Sequence, residues 1–157
     1  MTLDVCVVVI EERLSRSNTG NKVIRMLHQR HYTAEQANAH LPEVRATVRR
    51  LQDAKRILQD EGFDTGFATL ADIVGGAYPG RVRAQAAVAA TLGFEHLEEL
   101  DLLVRDLEAG LIDFPALRDG REVYLCWQVD EPEITHWHGL ESGFASRRPV
   151  GRPARRS

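Results

Sequence analysis

The stretch LIDFPALRDGREVYLCWQVDEPEITHWHGLESGFASR, residues 111–147, decides the fold. Turn-forming Asp119-Gly120 and Asp130-Glu131-Pro132 cut it into short runs in which apolar and polar side chains alternate, the period of a strand. Leu111 to Leu117, Glu122 to Val129 and Glu133 to His138 are the predicted strands of an antiparallel meander. Glu108-Ala109-Gly110 reverses the chain just before them, so Leu103 to Leu107 is a candidate fourth strand. Pro115 lacks an amide hydrogen, which predicts an edge or bulged strand around it.

Parity then decides which residues meet, because side chains alternate across a strand and a one-residue slip exchanges the two faces. Pairing Leu117 with Glu122 sets Asp113 opposite Cys126 and Phe114 opposite Leu125. Pairing Val129 with Glu133 sets Cys126 opposite His136, Tyr124 opposite His138 and Leu125 opposite Trp137. In this register Ile112, Phe114, Val123, Leu125, Trp127 and Trp137 share one face, and both tryptophans read as core aromatics. Asp113, Tyr124, Cys126, Gln128, His136 and His138 share the other.

That second face carries acid, thiol and imidazole in adjacent rows. Such donors suit a borderline cation, so Asp113, Cys126, His136 and His138 form a candidate site for zinc or iron. The same groups could make a thiol nucleophile with an imidazole base and an orienting carboxylate. Against both stands the ordinary reading of a polar, solvated sheet face, which no motif contradicts.

Upstream, Thr33 with Gln36 three residues later forms a capping box that starts a helix. Ala37, Leu41, Val44, Val48, Leu51 and Leu58 then lay one apolar stripe along about six turns, with a kink or restart expected near His40 because of Pro42. Glycines at 62, 66, 75, 76 and 80 mark a connection. Val82, Ala86 and Ala89, then Leu97, Leu100 and Val104, supply a second stripe, broken at Gly93. Small residues from Ala84 to Ala90 allow a facing helix to approach closely. The result is an α+β expectation: an antiparallel helical hairpin packed on a small antiparallel three- to four-stranded β-meander.

At 157 residues and 43% hydrophobic content, the chain is large enough for one core without disulfide or metal staples. Cys6 and Cys126 have no CxxC spacing and read as free thiols of a reducing compartment, hence a cytoplasmic expectation. The apolar run Leu3 to Ile10 is far shorter than the ~18 residues of a membrane helix, so no membrane association is expected. Of the net charge of −3, Arg147, Arg148, Arg152, Arg155 and Arg156 contribute +5, leaving −8 on the rest. An acidic body with a basic end gives little support to a whole-domain nucleic-acid surface and leaves weak contact through the tail. His28 and His31, beside Arg25 and Arg30, read as surface residues.

The run Leu111 to Trp127, followed by Glu131, Trp137-His138, Gly143-Phe144 and Arg147, resembles the C-terminal signature of an uncharacterised family of small bacterial proteins, domain of unknown function 2203. Thr33 to Asn38 and Leu41 to Val44 resemble its opening. The resemblance covers about residues 32 to 150 and implies a bacterial cytoplasmic protein, but no chemistry. It singles out Asp113, Cys126, Glu131, His138 and Arg147 as positions the pattern shares. His136 stands where an aromatic or variable residue is expected, which weakens a site needing both histidines.

The expected organisation is an N-terminal extension over 1–30, with Met26 as an alternative start, one α+β domain over 31–146, and an Arg-rich flexible tail over 147–157. The leading functional expectation is a non-enzymatic accessory protein that binds a small ligand, metal or partner on the polar sheet face through Asp113, Tyr124, Cys126, Glu131, His138 and Arg147. One alternative is a metal-dependent or cysteine-nucleophile enzyme centred on Cys126 and His138. Another is a structural adaptor acting through its long helices, whose near-heptad stripe also suggests a homodimer.

Overall fold

The first helix starts where its cap says it should. The Thr33 hydroxyl accepts from the Gln36 amide at 3.1 Å, and the Gln36 side chain accepts from the Thr33 amide at 2.9 Å. A computed structural model describes residues 26–60 and 79–151. From the cap, α1 (Ala34–Gln59) runs through Pro42 without the restart expected near His40. It buries Ala37, Leu41, Val44, Val48, Leu51 and Ala54 along one stripe, while Leu58 is exposed. The β-branched run near the N-terminus, the glycine-rich connection from 62 to 78 and the arginines from 152 onward lie outside the described residues.

Helix α2 (Pro79–Glu99) packs against α1 and continues through Gly93, where a break is expected from sequence. The glycine marks a close approach instead: a Cβ there would lie 2.7 Å from Leu51 Cδ2. Losing about 1 kcal/mol of helix propensity is offset by letting Leu51 seat against the α2 backbone.

Five antiparallel strands follow in sequential order: β1 (Leu103–Asp106), β2 (Leu111–Arg118), β3 (Arg121–Gln128), β4 (His136–Gly139) and β5 (Arg148–Pro149). Asp119 and Gly120 both have positive φ, 51° and 74°, the geometry that lets a two-residue turn follow the twist of its strands. This turn pairs Leu117 with Glu122, Asp113 with Cys126 and Phe114 with Leu125, the register expected from parity. Across the next ladder, Tyr124 faces His138, Leu125 faces Trp137 and Cys126 faces His136, also as expected.

Two sheet features differ from expectation. The ladder to β4 begins at His136 and not at Glu133, because the chain first turns at Glu131, whose amide donates to the Gln128 carbonyl at 2.8 Å. The Arg-rich tail also does not begin at 147. Arg148 and Pro149 pair with Trp137 and His136, and the Val150 amide donates to the Thr135 carbonyl at 2.8 Å, giving the sheet a fifth strand. Pro149 is tolerated there because β5 is an edge.

The helix pair covers the apolar face of the sheet. Val44, Val48, Leu51 and Leu97 meet Ile112, Phe114, Leu125 and the fully buried Trp127 in one core. Trp137 is only partly buried, lying under the guanidinium groups of Arg118 and Arg148 at 4.7 and 5.7 Å from its ring centre. Among the described residues no helix is long and apolar enough to cross a membrane.

Gly110 closes the β1–β2 turn at φ 69°, and a Cβ on it would come 2.5 Å from Val129 Cγ1. Gly120 has a similar φ of 74° and open space around it. Gly110→Ala is therefore expected to cost about 2–4 kcal/mol, adding overpacking to backbone strain, against about 1 kcal/mol for Gly120→Ala. Urea unfolding of the two variants measures this; equal losses would show that Val129 does not press on the turn.

Candidate functional site

The register brings β2, β3 and β4 together so that Asp113 and His138 meet diagonally across β3. His138 Nε2 lies 3.2 Å from each Asp113 carboxylate oxygen. Its Nδ1 lies 2.9 Å from the Gly139 carbonyl, which can only accept and so places a hydrogen on that nitrogen. Asp113 also receives Arg105, whose Nε donates to Asp113 Oδ2 at 2.6 Å and whose guanidinium stacks 4.7 Å over the Tyr124 ring. Arg105 reaches this position because β1 bulges between Val104 and Asp106, which re-aims the side chain.

The centre of the polar face is closed, with Gln128 and His136 half-buried at its margin, in contrast to the solvated face expected from alternation. Asp113, Tyr124, Cys126 and His138 are 2%, 5%, 1% and 4% exposed. Among the described residues no buried side-chain nitrogen or oxygen lacks a hydrogen-bond partner. Such a network is strong while every member is satisfied, and removing one member leaves the others desolvated and unpaired.

Part of the cover comes from the chain before α1, which the sequence reading assigns to an extension. The amides of Leu27 and His28 donate to Glu122 at 2.7 and 3.0 Å, and those of Gln29 and Arg30 donate to Asp101 at 3.0 Å each. His31 Nε2 lies 2.7 Å from Glu122. Between the two carboxylates, His28 inserts its ring with Nε2 2.9 Å from the Tyr124 hydroxyl and Nδ1 3.4 Å from Asp101. His28 and His31 are thus strap residues of the fold and not the surface histidines expected.

Glu131 and Arg147 also have internal partners. Arg147 donates to Glu131 Oε1 at 2.9 Å and stacks over Phe144, while Glu131 Oε2 accepts from the Gln128 amide at 3.0 Å. The Glu131 carbonyl accepts from Trp127 Nε1 and from Arg45, both at 2.9 Å, and Arg45 also donates to the Val129 carbonyl. This pair closes the β3–β4 turn and anchors it to α1.

Burial and the neighbouring Asp113 carboxylate push the Cys126 thiol up to about 11, with Arg147 acting in the opposite direction. A thiolate nucleophile needs the reverse shift and access to substrate. Nor do the four candidate ligands Asp113, Cys126, His136 and His138 converge: among the described residues no three His, Cys, Asp or Glu side chains are placed to hold a metal ion. His136 turns to the Thr135 hydroxyl at 2.8 Å. A cavity of about 340 Å³ opens on the opposite side of the sheet, between the start of α1 and Ala116, Val123, Leu125 and Trp137, away from every one of these groups.

Sequence reasoning found Asp113, Tyr124, Cys126 and His138 together but missed Arg105, His28, Glu122 and Asp101. Alternation gives no sign of a bulge, and no local pattern says that a strap crosses to residues more than 70 positions away. Residues 30–150 match the model of a family described as "Uncharacterized conserved protein (DUF2203)". No curated protein and no solved structure matches the chain.

Burial alone would raise the Glu122 carboxyl, but the Leu27 amide, the His31 imidazole and the His28 amide outweigh it and hold the group below its ordinary value. A depressed carboxylate contributes stability that is complete above its unfolded value of ~4.3 and lost as pH falls through the lower folded value. Hydrogen exchange at the Leu27 and His28 amides should therefore accelerate below about pH 4.3 before the sheet amides lose protection. Simultaneous loss at strap and sheet would contradict a strap held by Glu122.

Proposed function

The chain belongs to this family of uncharacterized conserved proteins, and we propose that it is a non-enzymatic association module that presents the outer face of α2 to a protein partner. The observation that carries this reading is the composition of that face. Val88 and Leu92, one turn apart on α2, are 58% and 59% exposed, and Phe94 on its flank is also exposed. A helix packed on one side normally turns polar residues outward. Here the outward positions include Ala84, Val88 and Leu92, small or aliphatic groups that permit close approach of another helix.

The closed polar face supports the same conclusion from the other side. Its groups are consumed in holding β1, β2, β3 and β4 together, so the chemistry that the sequence gathers there serves the frame. Of the functional expectations, the adaptor acting through its helices fits this geometry, with one change: the α1 stripe is spent in the core, and α2 supplies the free face.

Size-exclusion of fresh extract from the native host tests the reading. The wild-type chain is expected to run well above its own 17.6 kDa, and the Val88→Glu/Leu92→Glu variant to run as a monomer. Wild-type protein running as a monomer, or a large complex unaffected by the two charges, would contradict it.

A further inference from the structure

We infer that the occupant of this face is a second copy of the chain, its α2 laid antiparallel on the first about a two-fold axis at Val88. This rests on the proposal that α2 is an association face, and adds the partner and the geometry. Val88 lies at the centre of the outward stripe of α2. Ala84 and Leu92 lie four residues on either side, Arg81 and Glu95 seven on either side, and a helical period places all five on the face opposite the buried Ala86, Gly93 and Leu97.

About a two-fold axis residue i meets residue j while j meets i, and the pairs so formed here are complementary, small against large and cation against anion. With antiparallel helices, Val88 meets the partner's Val88, Ala84 gives room to the partner's Leu92, and Arg81 meets the partner's Glu95 at both ends. Parallel helices would set Arg81 beside the partner's Arg81 and Glu95 beside the partner's Glu95. The order of charge along the helix therefore selects the direction.

Helix electrostatics point the same way. A cation in the first turn and an anion near the last oppose the dipole of their own helix, and α2 has no acidic residue in its first turn. Each charge suits an antiparallel neighbour, whose opposite pole lies beside it. Arg83 already shows this use within the chain, donating to the Leu58 and Asp60 carbonyls at the end of α1 at 3.1 and 2.7 Å. Arg81 and Glu95 are exposed and have no hydrogen-bond or ion-pair partner among the described residues.

Sedimentation equilibrium of the purified full chain tests the assignment. The expected result is a monomer–dimer equilibrium in which Val88→Glu raises the dissociation constant about tenfold or more. Arg81→Glu and Glu95→Arg should each weaken the dimer, and the Arg81→Glu/Glu95→Arg double swap should restore it to within about threefold. Circular dichroism of each variant, matching the wild type, certifies that folding is unaffected; the charge swaps serve if Val88→Glu misfolds. A purified chain that stays monomeric to about 100 µM overturns self-pairing, and a larger assembly in host extract would then leave only the association reading standing. A dimer that Val88→Glu does not weaken, or that the double swap does not restore, also overturns the inference.

Discussion

The structure depends on the parity of the β2–β3 ladder. A two-residue Asp119-Gly120 turn sets Asp113 opposite Cys126, and from that single pairing every side chain of the sheet is assigned to the helix side or the polar side. In an ordinary half-buried sheet a slip of one residue would expose one apolar set. Here the centre of the polar face is covered as well, so a slip of β2 on β3 would drive Asp113 into the aromatic core and turn Phe114 onto the polar network beside Cys126 and His138. The two penalties act together, and the register is specified from both sides.

Much of this was legible in the chain. The Thr33–Gln36 capping box, the α1 stripe and the pairings of Asp113, Tyr124, Cys126 and His138 follow from local chemistry and period, and the structure repeats them. What alternation cannot supply is cover. It states that Asp113 and Cys126 share a face and is silent on what lies over that face. Arg105 arrives through a bulge, His28 through a strap anchored on Asp101 and Glu122, and β5 through a return of the chain; all depend on partners distant in sequence. Gly93 belongs with these, since a glycine that breaks a helix and one that admits Leu51 look alike before the second helix is in place.

The closed face also changes how the acid, thiol and imidazoles are understood. Gathered on an open surface, they would invite a metal or a nucleophilic mechanism. Here Asp113 and His138 are buried, Arg105 closes over Asp113 from the exposed side, the three tie three strands together, and Cys126 fills space beside them. Asp113, Cys126, Glu131, His138 and Arg147 all have structural partners or packing roles in this frame. Among the described residues, the exposed aliphatic groups of α2, Val88 and Leu92, lie apart from this network.

Alkylation of Cys126 in the native protein tests the closure of the polar face most directly. With the thiol buried and shifted to about 11, iodoacetamide at pH 8 should leave the Cys126 peptide unmodified over times that fully label the urea-unfolded chain, as read by mass spectrometry. Native labelling as fast as in the unfolded chain would mean that the thiol is open to solvent and that the face beside Asp113 and His138 is a site after all.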